Sequence, residues 1–146
     1  MSKNESKKFI KPGRVVVLLA GRFAGKKAVI VKVNNGSKAR PFPHVIVAGV
    51  ERAPLKVTKS MSKKQILRKS QIKSFVKFVN LQHVMPTRFT IPNADLQLKD
   101  LVTAAAIKDA DKKAEVKKTL RKTMKTRYLE KEQTAPTAFL FSKLKF

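Results

Sequence analysis

The sequence predicts an α+β chain: a small β-barrel module followed by a helical, basic C-terminal extension. Three observations predict it. Apolar runs rich in Val and Ile alternate with Gly- and Pro-marked turns from Arg14 to Val79. A stretch free of Gly and Pro, Asp109 to Glu132, carries Val116, Leu120, Met124 and Tyr128 four apart. Hydrophobic residues make up 42% of 146, enough for a small core only, so the segments outside the barrel are expected to need a partner to order them.

Gly13 to Lys32 is the organising stretch. Strand one is expected at Arg14 to Ala20 and strand two at Lys27 to Val33, because branched side chains are stiff and pack well on a pleated backbone. The loop between them, Gly21-Arg22-Phe23-Ala24-Gly25-Lys26-Lys27, predicts a hairpin tip that carries positive charge and one aromatic ring. The two runs are almost continuously apolar, which suits burial on both faces or a closed small barrel. Lys11-Pro12-Gly13 is the turn that launches the first strand, and Asn34-Asn35-Gly36 contains the tight-turn pair Asn-Gly.

Ser37 to Pro43 reads as a basic loop with Lys38, Arg40 and Phe42. His44 to Val50 reads as a third strand, and Leu55 to Thr58 as a short fourth. Ser60 or Ser62 is suited to cap a short helix that carries Lys63, Lys64, Arg68 and Lys69. So short a helix must draw its stability from docking. Ile72 to Val79 reads as a fifth or closing strand, while Leu81 to Pro92, with Pro86 and Pro92, reads as an ordered irregular loop. A capping Asn93 or Asp95 opens the second regime. A short apolar helix or pair of turns is expected from Leu96 to Ile107, then the long helix, with Asp109, Asp111 and Glu115 at its dipole-favoured end. Thr134 to Thr137, with Pro136, is expected to stop that helix, and Phe139 to Phe146 alternates apolar anchors with cations. The organisation expected is a flexible basic arm at 1–8, a barrel module at 9–92 and the helical extension with its anchoring tail at 93–146.

Enzyme chemistry finds little to work with. A phosphate loop needs four residues between its glycines, then Lys, a hydroxyl residue and a helix. Gly21 and Gly25 enclose three residues, Lys27 stands where the hydroxyl belongs, and a strand follows. His44 and His83 have no cysteine or acidic partners from which to build a zinc site, so ordinary packing or solvent exposure is the expectation. There is no cysteine, hence no thiolate or disulfide chemistry. No apolar run is long enough to span a bilayer, and Ser2 to Lys8 has no apolar signal core after it. No cofactor, metal, membrane or small-molecule substrate is expected.

Charge supplies the positive indication. The chain has 34 Lys and Arg against nine Asp and Glu, a net charge of +25. Between Glu5 and Asp95 there are twenty Lys or Arg and a single acid, Glu51. Solvated surfaces mix both signs, whereas a polyanion such as nucleic acid explains so one-sided a balance. The expected contacts are Lys8, Lys11 and Arg14 near the barrel entrance, Arg22, Phe23, Lys26 and Lys27 at the hairpin tip, and Lys38 and Arg40 in the next loop. Lys63, Lys64, Arg68 and Lys69 on the short helix, Arg88, and Lys117, Lys118, Arg121, Lys122 and Lys125 on the long helix complete the set. Phe23 and Phe42 suit either stacking on unpaired bases or plugging the barrel. Phe75 and Phe78 suit core packing, and the stripe from Val116 to Tyr128 suits a packing seam.

Gly13 to Lys32 resembles the KOW motif, a basic β-hairpin module with a central glycine. The stretch also resembles the start of the eukaryotic-type large-subunit ribosomal protein L twenty-seven family. His44 to Gly49 with Val57-Thr58, Ile72 to Lys77, His83 to Phe89 and the ending Phe139 to Phe146 agree in order. The resemblance implies an SH3-like barrel with a helical extension. It implies a structural place on a eukaryotic large ribosomal subunit, with ribosomal RNA and neighbouring ribosomal proteins as partners, and a cytoplasmic location reached through the nucleolus. It carries no catalytic site. A KOW-type regulatory module that binds nucleic acid or polymerase is the alternative.

Overall fold

A computed structural model describes residues 9–92, 98–130 and 134–144. The basic arm with Lys8, the caps proposed at Asn93 and Asp95, and the last two residues of the tail lie outside the described residues. Five antiparallel strands, β1 (Arg14–Leu18), β2 (Lys27–Asn34), β3 (His44–Arg52), β4 (Lys73–Asn80) and β5 (Val84–Thr90), form one sheet in the order β4-β3-β2-β1-β5. The expected hairpin is present, with Val15 opposite Val29 and Val17 opposite Lys27.

The α+β class is the one expected, but the sheet is open, with β4 and β5 as its edges, and does not close into a barrel. Register shifts within β1–β5, β2–β3 and β3–β4 add local bends. One face gathers Val16, Leu18, Ala28, Ile30, Val45, Val47, Val79 and Val84 around Phe23 and Phe75. Those two rings stack at 4.2 Å between centroids and 6° between planes. The opposite face packs Val15, Val29, Val31, Ile46, Ala48, Val50 and Val76 against helices from the C-terminal half. Helices therefore cover the face that barrel closure would otherwise have to protect. Burial on both faces is why β1 to β3 read as unbroken apolar runs.

Two expectations about strands are corrected. Leu55 to Thr58 forms no strand; Leu55 N–H donates to the carbonyl of Lys69 and ties the connection to the short helix. The segment after Leu81 is not an irregular loop but a 3-10 turn, Leu81–His83, followed by β5. Pro86 lies within β5 opposite Val16. Proline lacks the ladder donor and is tolerated because β5 is an edge strand. The Asn-Gly pair also makes no two-residue hairpin: Asn34 pairs with His44, and a loop closed by mutual Ser37–Arg40 backbone bonds connects them.

Close approach fixes one residue of the sheet. A Cβ at Gly49 would sit 2.6 Å from the Lys27 carbonyl oxygen and 2.7 Å from the Phe75 ring, so only glycine fits where β3 runs between Ala28 of β2 and Phe75 of β4. At the hairpin tip Gly25 adopts φ +79°, the left-handed region, and its N–H donates to Leu18 O at 2.7 Å.

Helix α1 (Lys63–Lys69) is capped by Ser62, whose Oγ accepts from Gln65 N–H. It buries none of its residues. Helices α2 (Leu98–Leu101) and α3 (Ala104–Lys108) are the expected pair of turns, α3 capped by Thr103. The long helix α4 (Ala110–Leu129) starts at the cap Asp109 and buries Val116, Leu120 and Met124, the seam expected from their spacing. Tyr128 packs at the edge of that seam. Pro136, expected to end a helix, instead stands in the first turn of α5 (Ala135–Phe141), where its missing N–H has no intrahelical role. Leu140 and Phe141 of α5 are buried in the same core as α4.

Candidate nucleic-acid interface

Strand parity decides the fate of the hairpin's charges. Side chains alternate between faces along a strand, so Lys27 shares a face with Val29 and Val31, the face the helices cover. Lys27 is 5% exposed. Its Nζ donates to the carbonyls of Phe139 and Ser142 and to Ser142 Oγ, each at 2.9 Å, and lies 4.0 Å from the centre of the Phe139 ring. Burial lowers its pKa from the ordinary 10.5. The expectation of Lys27 as a polyanion contact is corrected: it is a clamp that holds α5 on the sheet. Parity in β2 groups Lys27 with Val29 and Val31, but only the packing of α5 decides that this face is covered.

Phe23 is corrected in the same way. It is buried against Phe75 and plugs the inner face, with no ring surface to offer a base. Arg22 and Lys26 remain exposed at the tip, and the Arg22 guanidinium lies 4.6 Å from the Phe23 ring centre.

Tertiary packing brings two further lysines to Arg22. Lys77 of β4 reaches over the hairpin loop; a Cβ at Gly21 would lie 3.2 Å from its Nζ. Helix α4 crosses the sheet beside β4, fixed by Ser74 Oγ, which donates to Lys117 O at 2.9 Å. Lys113 of α4 is electrostatically coupled to the group. Its pKa is lowered by partial burial first, then by the positive charges of Lys117, Arg22 and Lys77. Sequence reasoning missed Lys77 and Lys113. Their only sequence signals are Lys113 one turn before Lys117 and the polar position of Lys77 in an otherwise apolar strand.

A second group forms around α1. Lys63, Lys64 and Arg68 are exposed, and Lys69 is half-buried. Arg52, Arg68, Lys69 and Gln71 line a cleft of 320 Å³. Arg121 of α4 reaches the same place, its guanidinium donating to Gln71 Oε1. Lys118 and Lys122 lie exposed on α4, and Lys125 is half-buried there. Lys11 and Lys38 are exposed on loops.

Arg14, Arg40 and Arg88 are less free than expected. The Arg14 guanidinium donates to the carbonyls of Phe9, Thr87 and Arg88. Arg88 lies 4.8 Å from the Phe89 ring centre, and Arg40 lies 3.9 Å from that of Phe78. His44 is buried, with Nδ1 bonded to Phe42 O and Nε2 to Asn34 Nδ2, so it serves packing. His83 is exposed.

Ion pairs among the described residues engage Lys73 with Glu51, Lys112 with Asp109 and Arg127 with Glu130. None of the cations expected to meet a polyanion, within the described residues, pairs with a carboxylate. No helix of the structure is long and apolar enough to cross a membrane, and no cluster of metal-ligating side chains occurs among the described residues.

Residues 15–146 match the model of the Ribosomal L27e protein family. The large ribosomal subunit protein eL27 of Tetrahymena thermophila is 50% identical over 144 residues, spanning 95% of this chain and 99% of that protein. Large ribosomal subunit protein eL27A of Schizosaccharomyces pombe is 46% identical and eL27 of Pisum sativum 44% identical, each over 140 residues, 95% of this chain and 98% of the relative. With an open, helix-covered sheet, unpaired cations on several elements and a match from β1 to the last residue, the chain belongs to the Ribosomal L27e protein family.

Proposed function

We propose that this protein is a structural component of the large ribosomal subunit that binds and stabilises folded ribosomal RNA and so supports translation. The observation that carries the reading is the set of unpaired cations that hairpin tip, β4, α1 and α4 present together. Each neutralises phosphate without sequence readout, and Arg adds bidentate grip. The contacts proposed are Lys11, Arg22, Lys26, Lys38, Lys63, Lys64, Arg68, Lys69, Lys117, Lys118, Arg121, Lys122 and Lys125, joined by Lys77 and Lys113. Arg14, Arg40 and Arg88 contribute through whatever guanidinium edge their intramolecular partners leave open.

Neighbouring ribosomal proteins are the proposed second class of partner. The protein works in cytoplasmic ribosomes and reaches them through nucleolar assembly. The role needs no catalytic step; charge neutralisation and shape are sufficient. The relatives carry large-subunit names, which favours this reading over a polymerase-binding regulatory module.

A tagged full-length chain expressed in eukaryotic cells tests it. In a sucrose gradient at physiological salt it should sediment with large subunits and whole ribosomes. Recovery only at the top of the gradient would overturn the proposal.

A further inference from the structure

A groove of 340 Å³ opens beside the hairpin loop, lined by Arg40, Phe42, Lys77, Phe78, Asn80 and His83 among others. Its volume falls in the range of small-ligand sites, about 300–1,000 Å³. Its aromatic wall is built in advance of any ligand. The Arg40 guanidinium rests 3.9 Å from the Phe78 ring centre. His44 meets Phe78 edge-on at 5.8 Å and Phe42 at 5.9 Å. Its own ring is fixed by bonds to Phe42 O at 3.1 Å and Asn34 Nδ2 at 3.3 Å. Mutual Ser37–Arg40 backbone bonds hold the loop that presents Arg40. Phe42 nonetheless remains 38% exposed, an apolar ring that the fold itself leaves uncovered.

The groove joins the cationic group at the hairpin tip. Lys77 belongs to both, and Gly21 on the groove's lining sits next to Arg22. Arg22 and Lys77 both lie over the Phe23 ring, at 4.6 and 5.6 Å from its centre. An aromatic and guanidinium wall beside a cluster of unpaired cations is the combination that binds an unstacked nucleotide, ring on ring and phosphate on ammonium. A paired base cannot use such a wall, because its faces are covered by its neighbours in the helix.

We propose that this groove captures one unpaired nucleotide of RNA, its base against Phe42 and Arg40 and its phosphate on Lys77 and Arg22. The proposal rests on the RNA-binding reading and adds selectivity for single-stranded loops or bulges at this one site. A short apolar peptide of a neighbouring protein is the competing occupant, and the cations beside the groove argue for the nucleotide.

The test uses the full chain at physiological salt with two RNA probes: a hairpin carrying 2-aminopurine in its loop, and the blunt duplex of the same stem. Wild type should bind the hairpin more tightly than the duplex and change the 2-aminopurine fluorescence. Phe42→Ala should weaken hairpin binding by about five- to 150-fold, the range for loss of one stacked base. Duplex affinity should stay unchanged; because Phe42 also packs edge-on against His44, the melting temperature of the variant is measured alongside and binding compared well below it. Arg40→Ala should act in the same direction, and Lys77→Gln should reduce the salt dependence of hairpin binding. Equal affinity for both probes without a fluorescence change would overturn the proposal, as would hairpin affinity that survives both Phe42→Ala and Arg40→Ala. Either result leaves sedimentation with large subunits intact, whereas failure of the broader reading would remove the chain from the subunit itself.

Discussion

Lys26 and Lys27 are neighbours in the chain with opposite fates. Lys26 is exposed at the hairpin tip, while Lys27 turns into the sheet and donates to three oxygens of the Phe139–Ser142 segment. Lys26→Glu should therefore weaken RNA association and leave the melting temperature within a degree or so, because exposed charges contribute little to stability. Lys27→Met should destabilise the fold by about 1–3 kcal/mol, as carbonyls lose a charged donor. Amide exchange in α5 should rise with it. A melting temperature equal to wild type would show that the clamp is not needed. The lowered pKa of Lys27 also predicts a pH dependence. Its proton is held less tightly in the folded chain than in the unfolded one. The ammonium therefore costs stability below its folded pKa, and that cost fades as pH rises towards the ordinary 10.5. The stability of wild type relative to Lys27→Met should shift in favour of wild type over that window. A shift the other way in paired melts would refute the assignment.

Among the elements, α4 links core to charge. Its buried stripe of Val116, Leu120 and Met124 sets which lysines face the sheet edge and which face outward. Leu120 is fully buried, so Leu120→Ala should cost about 2–5 kcal/mol. Asp109→Ala removes the side chain that accepts from Asp111 N–H and should cost about 0.5–2 kcal/mol. Chemical denaturation of the two variants should preserve that order; a reversal would mean that α4 is held by its cap rather than by its seam. The elements differ in how far they are legible from residues alone. The seam, a serine cap on α1 (Ser62 of the two candidates) and the β1–β2 hairpin follow from spacing and residue type, and the structure shows them, whereas Asp109, expected within the first turn of the long helix, proves to be its cap. Strand β5 was hidden by Pro86, which is compatible with a strand only at an edge, and edges are assigned by the order of strands in the whole sheet. Helix α5 was hidden by Pro136, which stops a helix or starts one according to whether the residues after it find a core to pack on. The same limit applied to the site: Phe23 and Lys27 looked like tip residues until the sheet and α5 closed over them.

For the whole molecule, net charge governs association. Converting Lys118, Lys122 and Lys125 to Gln should leave the melting temperature nearly unchanged. It should lower the slope of log affinity against log salt by about 0.7–0.9 for each phosphate no longer neutralised. An unchanged slope in a filter-binding titration would place the RNA away from this face of α4. The sequence by itself determined the α+β class, the hairpin, the amphipathic seam and the excess of cations, because residue type and local spacing are sufficient for each. Only the tertiary structure decided that the sheet stays open under a helical cover. It also decided that Lys27 is engaged in holding α5 while Lys77 and Lys113 join Arg22. These outcomes depend on which face of a strand another element buries, and that is settled by packing between residues far apart in the chain.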